Sequence, residues 1–144
     1  MKHSHTRIWI HIIWGTKDHA RCLFNETAIQ AHKHLLQKAN DLKISFEELR
    51  IQPEHIHGLI NLPANKCLSD FVQNVKGEST HWINQNNLIK GKFEWQRGYG
   101  AFSVSASQID IVKKYIQNQE EHHKRKTFKE EYDEWLEKYG IFND

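Results

Sequence analysis

The sequence predicts an α+β fold of the ferredoxin-like type, a split βαβ sandwich with an antiparallel sheet and its helices on one face. Segments with strand and helix periodicity follow one another in the order β-α-β-β-α-β, which is typical of this fold. A very short turn joins the second and third strands, so they are expected to pair as an antiparallel hairpin. A chain of 144 residues suits one hydrophobic core, and we expect a single domain over residues 1–144.

The first half of the chain supplies three strands and one helix. Alternating apolar residues predict a strand from Arg7 to Trp14, and apolar residues at three-to-four spacing predict a helix over about 25–42. Residues 46–51 form a second strand. The turn Gln52-Pro53-Glu54 then leads into a third strand that contains His55 and His57.

The second half adds three helices and a broken strand. A helix is predicted over about 68–83, followed by strand segments at 93–96 and 101–104 that two glycines interrupt. A further helix, which carries Tyr115, reaches roughly His122 and ends a catalytic core over about 6–124. The last helix, about 127–140, is amphipathic, with aromatic residues inward and its glutamates and lysines on the outer face.

Composition places few limits on function. The chain has 20 Lys and Arg against 18 Asp and Glu, so its net charge of +2 does not by itself indicate a nucleic-acid-binding protein. The two cysteines lack metal-site spacing, and the N-terminal apolar run is too short for a signal peptide or a membrane span. We therefore expect a soluble cytoplasmic protein with two reduced thiols and no membrane partner.

His55 and His57 are the candidate metal ligands of the third strand. Because successive strand residues point to opposite faces, these two imidazoles project from the same face. Two neighbouring imidazoles form half of a metal site, and the alternative is a strand edge with two solvated histidines. The His3-Ser4-His5 sequence has the same spacing, but it lies in a terminal segment without downstream partners.

Tyr115 and Gln119 are candidates for the other half of the site. They are four residues apart in a predicted helix and therefore lie on one face, which His122 continues. If this face meets His55 and His57, the amide oxygen of Gln119 supplies a third neutral ligand, a set open to Mg²⁺ or Mn²⁺. Tyr115 would then lie close enough to attack a metal-bound phosphodiester. The alternative is a boundary tyrosine beside a solvated glutamine.

These motifs resemble the single-tyrosine HUH transposase family of bacterial insertion sequences and their REP-associated relatives. The His55-Ile56-His57 element and the downstream Tyr115-Ile116-Gln117-Asn118-Gln119 segment carry the resemblance. Further similar stretches are Trp14-Gly15-Thr16-Lys17, Leu68-Ser69-Asp70-Phe71-Val72, Lys76-Gly77-Glu78-Ser79, Trp82-Ile83-Asn84 and the segment from Trp95 to Ser103. The resemblance extends from about Thr6 to Gly140.

The resemblance implies a nickase and strand transferase that acts on single-stranded DNA. It implies that His55, His57 and Gln119 bind the metal and that Tyr115 becomes joined to the 5′ phosphate, with no nucleotide cofactor. The resemblance also implies a homodimer that recognises hairpins at transposon ends. In this family the tyrosine helix meets the histidines of its own chain or those of the partner chain. Six residues are candidate DNA contacts near this helix and the bend before the last strand: Arg97, Tyr99, Lys113, Lys114, Lys124 and Arg125.

Three other functions remain open from the sequence. The chain could be a non-catalytic or domesticated protein that binds single-stranded DNA hairpins, or an HUH replication-initiator nuclease. A two-histidine, one-carboxylate oxygenase would need an acidic ligand such as Glu54. Strand alternation is expected to turn Glu54 away from His55, which argues against that site.

Overall fold

A computed structural model describes residues 4–141 of the protein, so His3 lies outside the described residues. The strands and helices are β1 (Trp9–Gly15), α1 (Asn25–Asp41), β2 (Phe46–Gln52), β3 (His55–Asn61), α2 (Leu68–Gln85), β4 (Gly100–Val104), α3 (Ile109–Gln117), α4 (Gln119–His122) and α5 (Phe128–Lys138). Within residues 4–141, none of the helices has both the length and the hydropathy needed to cross a bilayer.

The four strands form one antiparallel sheet in the order β2-β3-β1-β4. β1 lies between β3 and β4, and its residue Ile13 is opposite His57 of β3. The short turn at Pro53 and Glu54 joins β2 and β3 as the predicted hairpin. The ferredoxin-like arrangement expected from the order of elements is therefore confirmed.

The face of the sheet under α1 and α2 holds the main hydrophobic core. Ile10, Ile12 and Trp14 alternate along β1 and all point to this side, where Leu35 of α1 and Phe71 of α2 pack against the sheet. This alternation follows from the two-residue period of a strand. Burial of this continuous apolar surface is the main favourable contribution to folding on this side of the molecule.

The opposite face of the sheet is covered by the C-terminal part of the chain. Two small clusters make the contact: Leu59 and Val104 with Val112 and Ile116 of α3, and Ile13 and Phe102 with Phe128 and Trp135 of α5. The predicted layer of two helices is confirmed on one face, and the tyrosine helix and α5 form a second layer on the other.

Helix α5 approaches the sheet closely at two glycines. A Cβ atom on Gly15 would lie 2.8 Å from a ring carbon of Phe128, and one on Gly100 would lie 2.8 Å from a ring carbon of Tyr132. Carbon atoms normally stay about 3.5–4.0 Å apart. The lack of a side chain at these two positions therefore lets α5 lie directly against β1 and β4.

Two predicted elements differ from the structure. Residues 93–96 do not extend a strand, since Trp95 makes only an isolated bridge with Thr16. Lys76 of α2 donates to the backbone oxygens of Gln96 and Gly98, each at 2.7 Å, and this holds the segment against α2. The predicted third helix is also divided, because Asn118 has φ −99° and ψ 23°, outside the α-helical region, between α3 and α4.

Candidate active site

His55 and His57 lie on the face of the sheet that α3, α4 and α5 cover. Both side chains are fully buried. Their ring centroids are 5.0 Å apart. The predicted common face of the two imidazoles is therefore observed, whereas solvated histidines at a strand edge are not.

The His55 ring is held from both of its nitrogen atoms. Its Nδ1 is 2.8 Å from Oε1 of Glu54, whose carboxylate also accepts a hydrogen bond from Arg21. Its Nε2 is 3.3 Å from Oε1 of Gln119. Phe128 stacks on the ring, with centroids 4.1 Å apart and planes within 11°. The orientation of His55 is thus fixed by a carboxylate on one side and an aromatic ring on its face.

His57 is held in the same manner by different residues. Its Nδ1 is 2.8 Å from Nε2 of His11, and its Nε2 is 2.7 Å from Oε1 of Glu131. Burial lowers the pKa of His57 to about 4, although the Glu131 carboxylate opposes this change. Burial would raise the pKa of Glu131, but the neighbouring His123 and His57 rings hold it well below its usual range. At neutral pH the pair is therefore a neutral imidazole beside a carboxylate.

Tyr115 of α3 faces the histidines of its own chain. Its ring centroid is 5.7 Å from that of His57 and 4.4 Å from that of His122. The Tyr115 hydroxyl oxygen accepts a hydrogen bond of 3.0 Å from Nε1 of Trp135. Burial and then the charge of Glu131 raise the pKa of the Tyr115 phenol above its ordinary value, so it is protonated at neutral pH.

The donor atoms at the centre of this site fit a divalent cation. One ligand atom each from His55, His57 and Glu131 lies within 4.8 Å of the others. Gln119, fully buried, adds its amide oxygen beside His55. Metal–ligand bonds of about 2.1 Å for Mg²⁺ place neighbouring ligand atoms about 3 Å apart, which is close to the separations here. Imidazole nitrogen with amide and carboxylate oxygen is a donor set compatible with a divalent metal.

The structure brings together His55, His57, Gln119 and Tyr115, the four residues that the sequence indicated. The six candidate DNA contacts lie on separate surfaces. Arg97 and Tyr99 line a groove of about 640 Å³ beside α2, and Lys124 and Arg125 line one of about 420 Å³ beside Glu54 and His123. Lys113 pairs with Glu47 of β2 at 2.6 Å, at the opposite edge of the sheet from β4, and Lys114 is exposed.

Two sequence-based expectations about glutamates are wrong. Glu54 contacts His55 instead of pointing away, because it lies in the turn before β3, where strand alternation does not apply. Glu131 was expected on the outer face of the last helix, yet it is only 3% exposed. It lies three residues after Phe128 and four before Trp135, so it shares their buried stripe. A carboxylate inside an apolar stripe was the available signal.

His11, Trp135 and His123 were also missed as neighbours of the site. His11 of β1 follows the same alternation as Ile13, which places it on the second face, and this could have been read from the sequence. The sequence pointed to His122 as a neighbour of the site, whereas the next residue, His123, contacts the residues at its centre. Its Nε2 lies 3.5 Å from Oε2 of Glu131, and its ring centroid lies 4.6 Å from that of His55.

Comparison with known proteins gives a consistent result. The chain is 25% identical over 114 residues to the ISDra2 transposase TnpA of Deinococcus radiodurans, which covers 76% of this chain and 81% of that protein. A crystal structure from Deinococcus radiodurans R1, of a protein also described as a transposase, is 25% identical with a TM-score of 0.62, over 83% of this chain and 98% of that one.

A second solved structure supports the fold alone. It is a REP-associated tyrosine transposase bound to a REP hairpin, with a TM-score of 0.63 at 17% identity, over 85% of this chain and 74% of that one.

The family described as "Transposase IS200 like" matches residues 4–119, which contain β1 to β4, the helices α1 to α3 and the first residue of α4. The chain therefore belongs to the IS200-like transposase family.

Proposed function

We propose that this transposase nicks and rejoins single-stranded DNA through a covalent 5′-phosphotyrosine at Tyr115, with Mg²⁺ or Mn²⁺ held by His55, His57 and Gln119. One observation carries the proposal. The Tyr115 ring lies 5.7 Å from the His57 ring in the same chain, while Gln119 on the next helix reaches His55. The candidate nucleophile and three candidate neutral ligands therefore lie next to one another in one chain, which supports the proposal.

The proposed cleavage conserves the energy of the phosphodiester. The Tyr115 oxygen attacks phosphorus, the bond to the 3′ oxygen breaks, and the phenolic proton is transferred overall to that oxygen to give a 3′ hydroxyl. Attack of another 3′ hydroxyl on the phosphotyrosine reverses these changes and releases Tyr115. Neither step consumes a nucleotide cofactor. A bound divalent cation would supply positive charge to the non-bridging phosphate oxygens.

The protein's own residues prepare the nucleophile and exclude water. Nε1–H of Trp135 holds the Tyr115 hydroxyl oxygen, and a hydrogen bond there stabilises negative charge on that oxygen. Glu54 and His11 fix the orientation of the two strand histidines through their Nδ1 atoms. His55 and His57 are themselves fully buried, so bulk water is excluded from their rings.

Two grooves next to the site are the proposed path of the DNA strand. One is basic and contains Lys124, Arg125 and Arg21 next to Glu54. The other, about 640 Å³, is lined by Tyr115, Trp135 and Tyr139 and offers aromatic surfaces to unpaired bases. Arg97 and Tyr99, in a third groove, are proposed contacts for more distant nucleotides. A DNA hairpin is the proposed partner, by analogy with the relative bound to a REP hairpin.

The predicted homodimer and the single transposase domain over residues 1–144 stay proposals. Within the single chain described, His55, His57, Gln119 and Tyr115 lie together. A dimer in which the tyrosine helix of one chain meets the histidines of the other stays an alternative proposal. The replication-initiator alternative shares the same chemistry. Membership of the IS200-like family favours transposition.

The test is a covalent-adduct assay with labelled single-stranded hairpin DNA and Mg²⁺ or Mn²⁺. The wild-type protein is expected to form an adduct that resists denaturant, and Tyr115→Phe to form none. Tyr139→Phe, which removes a phenol from the groove wall, is expected to retain adduct formation. An adduct that persists in Tyr115→Phe would refute the nucleophile. Hairpin binding without any adduct in either metal would instead support the non-catalytic binding protein.

A further inference from the structure

We propose that Glu131 of α5 is a fourth ligand of the cation, joining His55, His57 and Gln119. The inference rests on the proposed function, because it concerns the same cation. Oε1 of Glu131 lies 2.7 Å from Nε2 of His57 and 3.8 Å from Nε2 of His55. One carboxylate oxygen therefore reaches the inward nitrogen atoms of both strand histidines.

The charge balance of the two buried glutamates supports this role. Glu54 and Glu131 are 5% and 3% exposed, so both carboxylates are removed from water. Glu54 is paired with the guanidinium of Arg21. In the described part of the chain, the ion-pair partners of Glu131 are three histidines, and no lysine or arginine pairs with it. A buried carboxylate without a permanent cation is costly, and a divalent ion would supply the missing positive charge.

The packing of α5 fixes Glu131 in position. Phe128, one turn before it, stacks on the His55 ring, and Trp135, one turn after it, donates to Tyr115. The i, i+3 and i+4 spacings put all three side chains on one face of the helix. The close approach at Gly15 and Gly100 allows the short reach of Glu131 to the histidines. α5 is therefore part of the site, although it lies beyond residue 124, where the predicted catalytic core ends.

A carboxylate changes what the site can bind. Two imidazoles and an amide are neutral, whereas Glu131 adds one negative charge and a hard oxygen donor. Mg²⁺ and Mn²⁺ favour carboxylate oxygen, and a charged ligand strengthens their binding. His55, His57, Gln119 and Glu131 would together hold the cation, and the cation would supply positive charge to a phosphate oxygen of the DNA. The site would thus retain its cation before DNA binds.

The experiment measures Mn²⁺ binding without DNA, by electron paramagnetic resonance and by calorimetry. Glu131→Gln keeps the shape of the side chain and removes its charge, and it is expected to weaken Mn²⁺ binding at least about tenfold, since loss of even an outer-sphere partner costs about 10–100-fold. Glu131→Asp retains the charge with a shorter reach. Its Mn²⁺ affinity is expected to lie between that of the wild type and that of Glu131→Gln. Glu137→Gln removes the same charge from an exposed position of α5 and is expected to bind as the wild type does.

The outcomes separate this inference from the proposed function. Equal or tighter Mn²⁺ binding by Glu131→Gln would overturn the inference and leave the function standing. Absence of Mn²⁺ binding by the wild type without DNA would overturn the inference, and loss of the covalent adduct on removal of divalent metal tests the metal-dependent function separately. Thermal unfolding without metal checks that each variant folds, and the Mn²⁺-induced rise in Tm gives a second measure of binding. If Glu131→Gln does not fold, Glu131→Asp decides: unchanged Mn²⁺ affinity and an unchanged Mn²⁺-induced rise in Tm would overturn the inference.

Discussion

The face of the sheet under α1 and α2 and the face under α3 to α5 are built from alternate residues of the same strands, yet they bury different chemistry. The first is lined by Ile10, Ile12 and Trp14, and the second by His11, His55 and His57. Apolar packing stabilises without strict direction, whereas the imidazoles and carboxylates of the second face need specific partners. The larger apolar core therefore lies on one face, and the candidate site lies on the other face beside two smaller apolar clusters.

The largest expected effect comes from the apolar face. Ile12→Ala removes a fully buried side chain from the middle of β1 and is expected to lower the free energy of unfolding by about 2–5 kcal/mol. Urea unfolding measures this loss, and Ile29→Ala at an exposed position of α1 should change it by less than about 0.5 kcal/mol. The Mn²⁺ affinity of folded Ile12→Ala is expected to stay unchanged. A loss of Mn²⁺ affinity along with the loss of stability would mean that packing on the apolar face also determines the geometry of the histidine face.

Glu54→Gln tests the polar face through a residue that orients a proposed ligand. The carboxylate that accepts from Nδ1 of His55 becomes a neutral amide, and Mn²⁺ binding is expected to weaken by about tenfold, measured by calorimetry. Glu78→Gln is the matched control, because Glu78 forms a 2.6 Å pair with His34 between α1 and α2. Equal losses in the two variants would show that the effect is not specific to the site.

Trp135→Phe tests how α5 supports Tyr115, the proposed nucleophile. The change keeps an aromatic ring and removes the N–H that donates to the Tyr115 oxygen, so the rate of adduct formation at saturating DNA is expected to fall by about fivefold, or ~1 kcal/mol. Single-turnover kinetics measure the rate, and DNA affinity is expected to stay constant. Trp82→Phe, which alters a ring stacked on His34 away from the site, is the control. An unchanged rate would remove Trp135 from the proposed mechanism.

The smallest effect is expected at the protein surface. Arg125→Ala in the basic groove is expected to weaken single-stranded DNA binding a few-fold and to lower the salt slope by about 0.7. Lys113→Ala should change the slope less, because Lys113 is already paired with Glu47. Fluorescence anisotropy titrations at several salt concentrations measure both. Equal slopes for Arg125→Ala and the wild type would exclude Arg125 as a contact to a DNA phosphate.

The apolar face and the strand half of the site were predictable because their signals are local. The two-residue period that buries Ile10 and Ile12 also sends His55 and His57 to a common side, and no knowledge of distant contacts is needed. The four-residue spacing of Tyr115 and Gln119 is equally local. Even though the helix is divided at Asn118, Gln119 still reaches His55.

The role of Glu131 was not predictable from the same rules. Phe128, Tyr132, Trp135 and Tyr139 form one stripe of its helix, and Glu131 lies at the edge of that stripe, so whether its side chain points inward depends on how α5 is turned against the sheet. That choice is made by contacts far away in sequence, among them Phe128 with His55 and Tyr132 with Gly100. Glu54 was missed because a turn, unlike a strand, does not fix the direction of a side chain by alternation.

The position of α5 after all four strands has a consequence for the order of events during synthesis. Chains emerge from the N-terminal end, so β1 to β4, α1 and α2 leave the ribosome before residues 128–138 do. The apolar face can be filled from those earlier elements. The histidine face is covered in part by α3 and α4 and is completed only when α5 arrives with Phe128 and Trp135. The nascent chain can therefore form its hydrophobic core before it can assemble the complete candidate site.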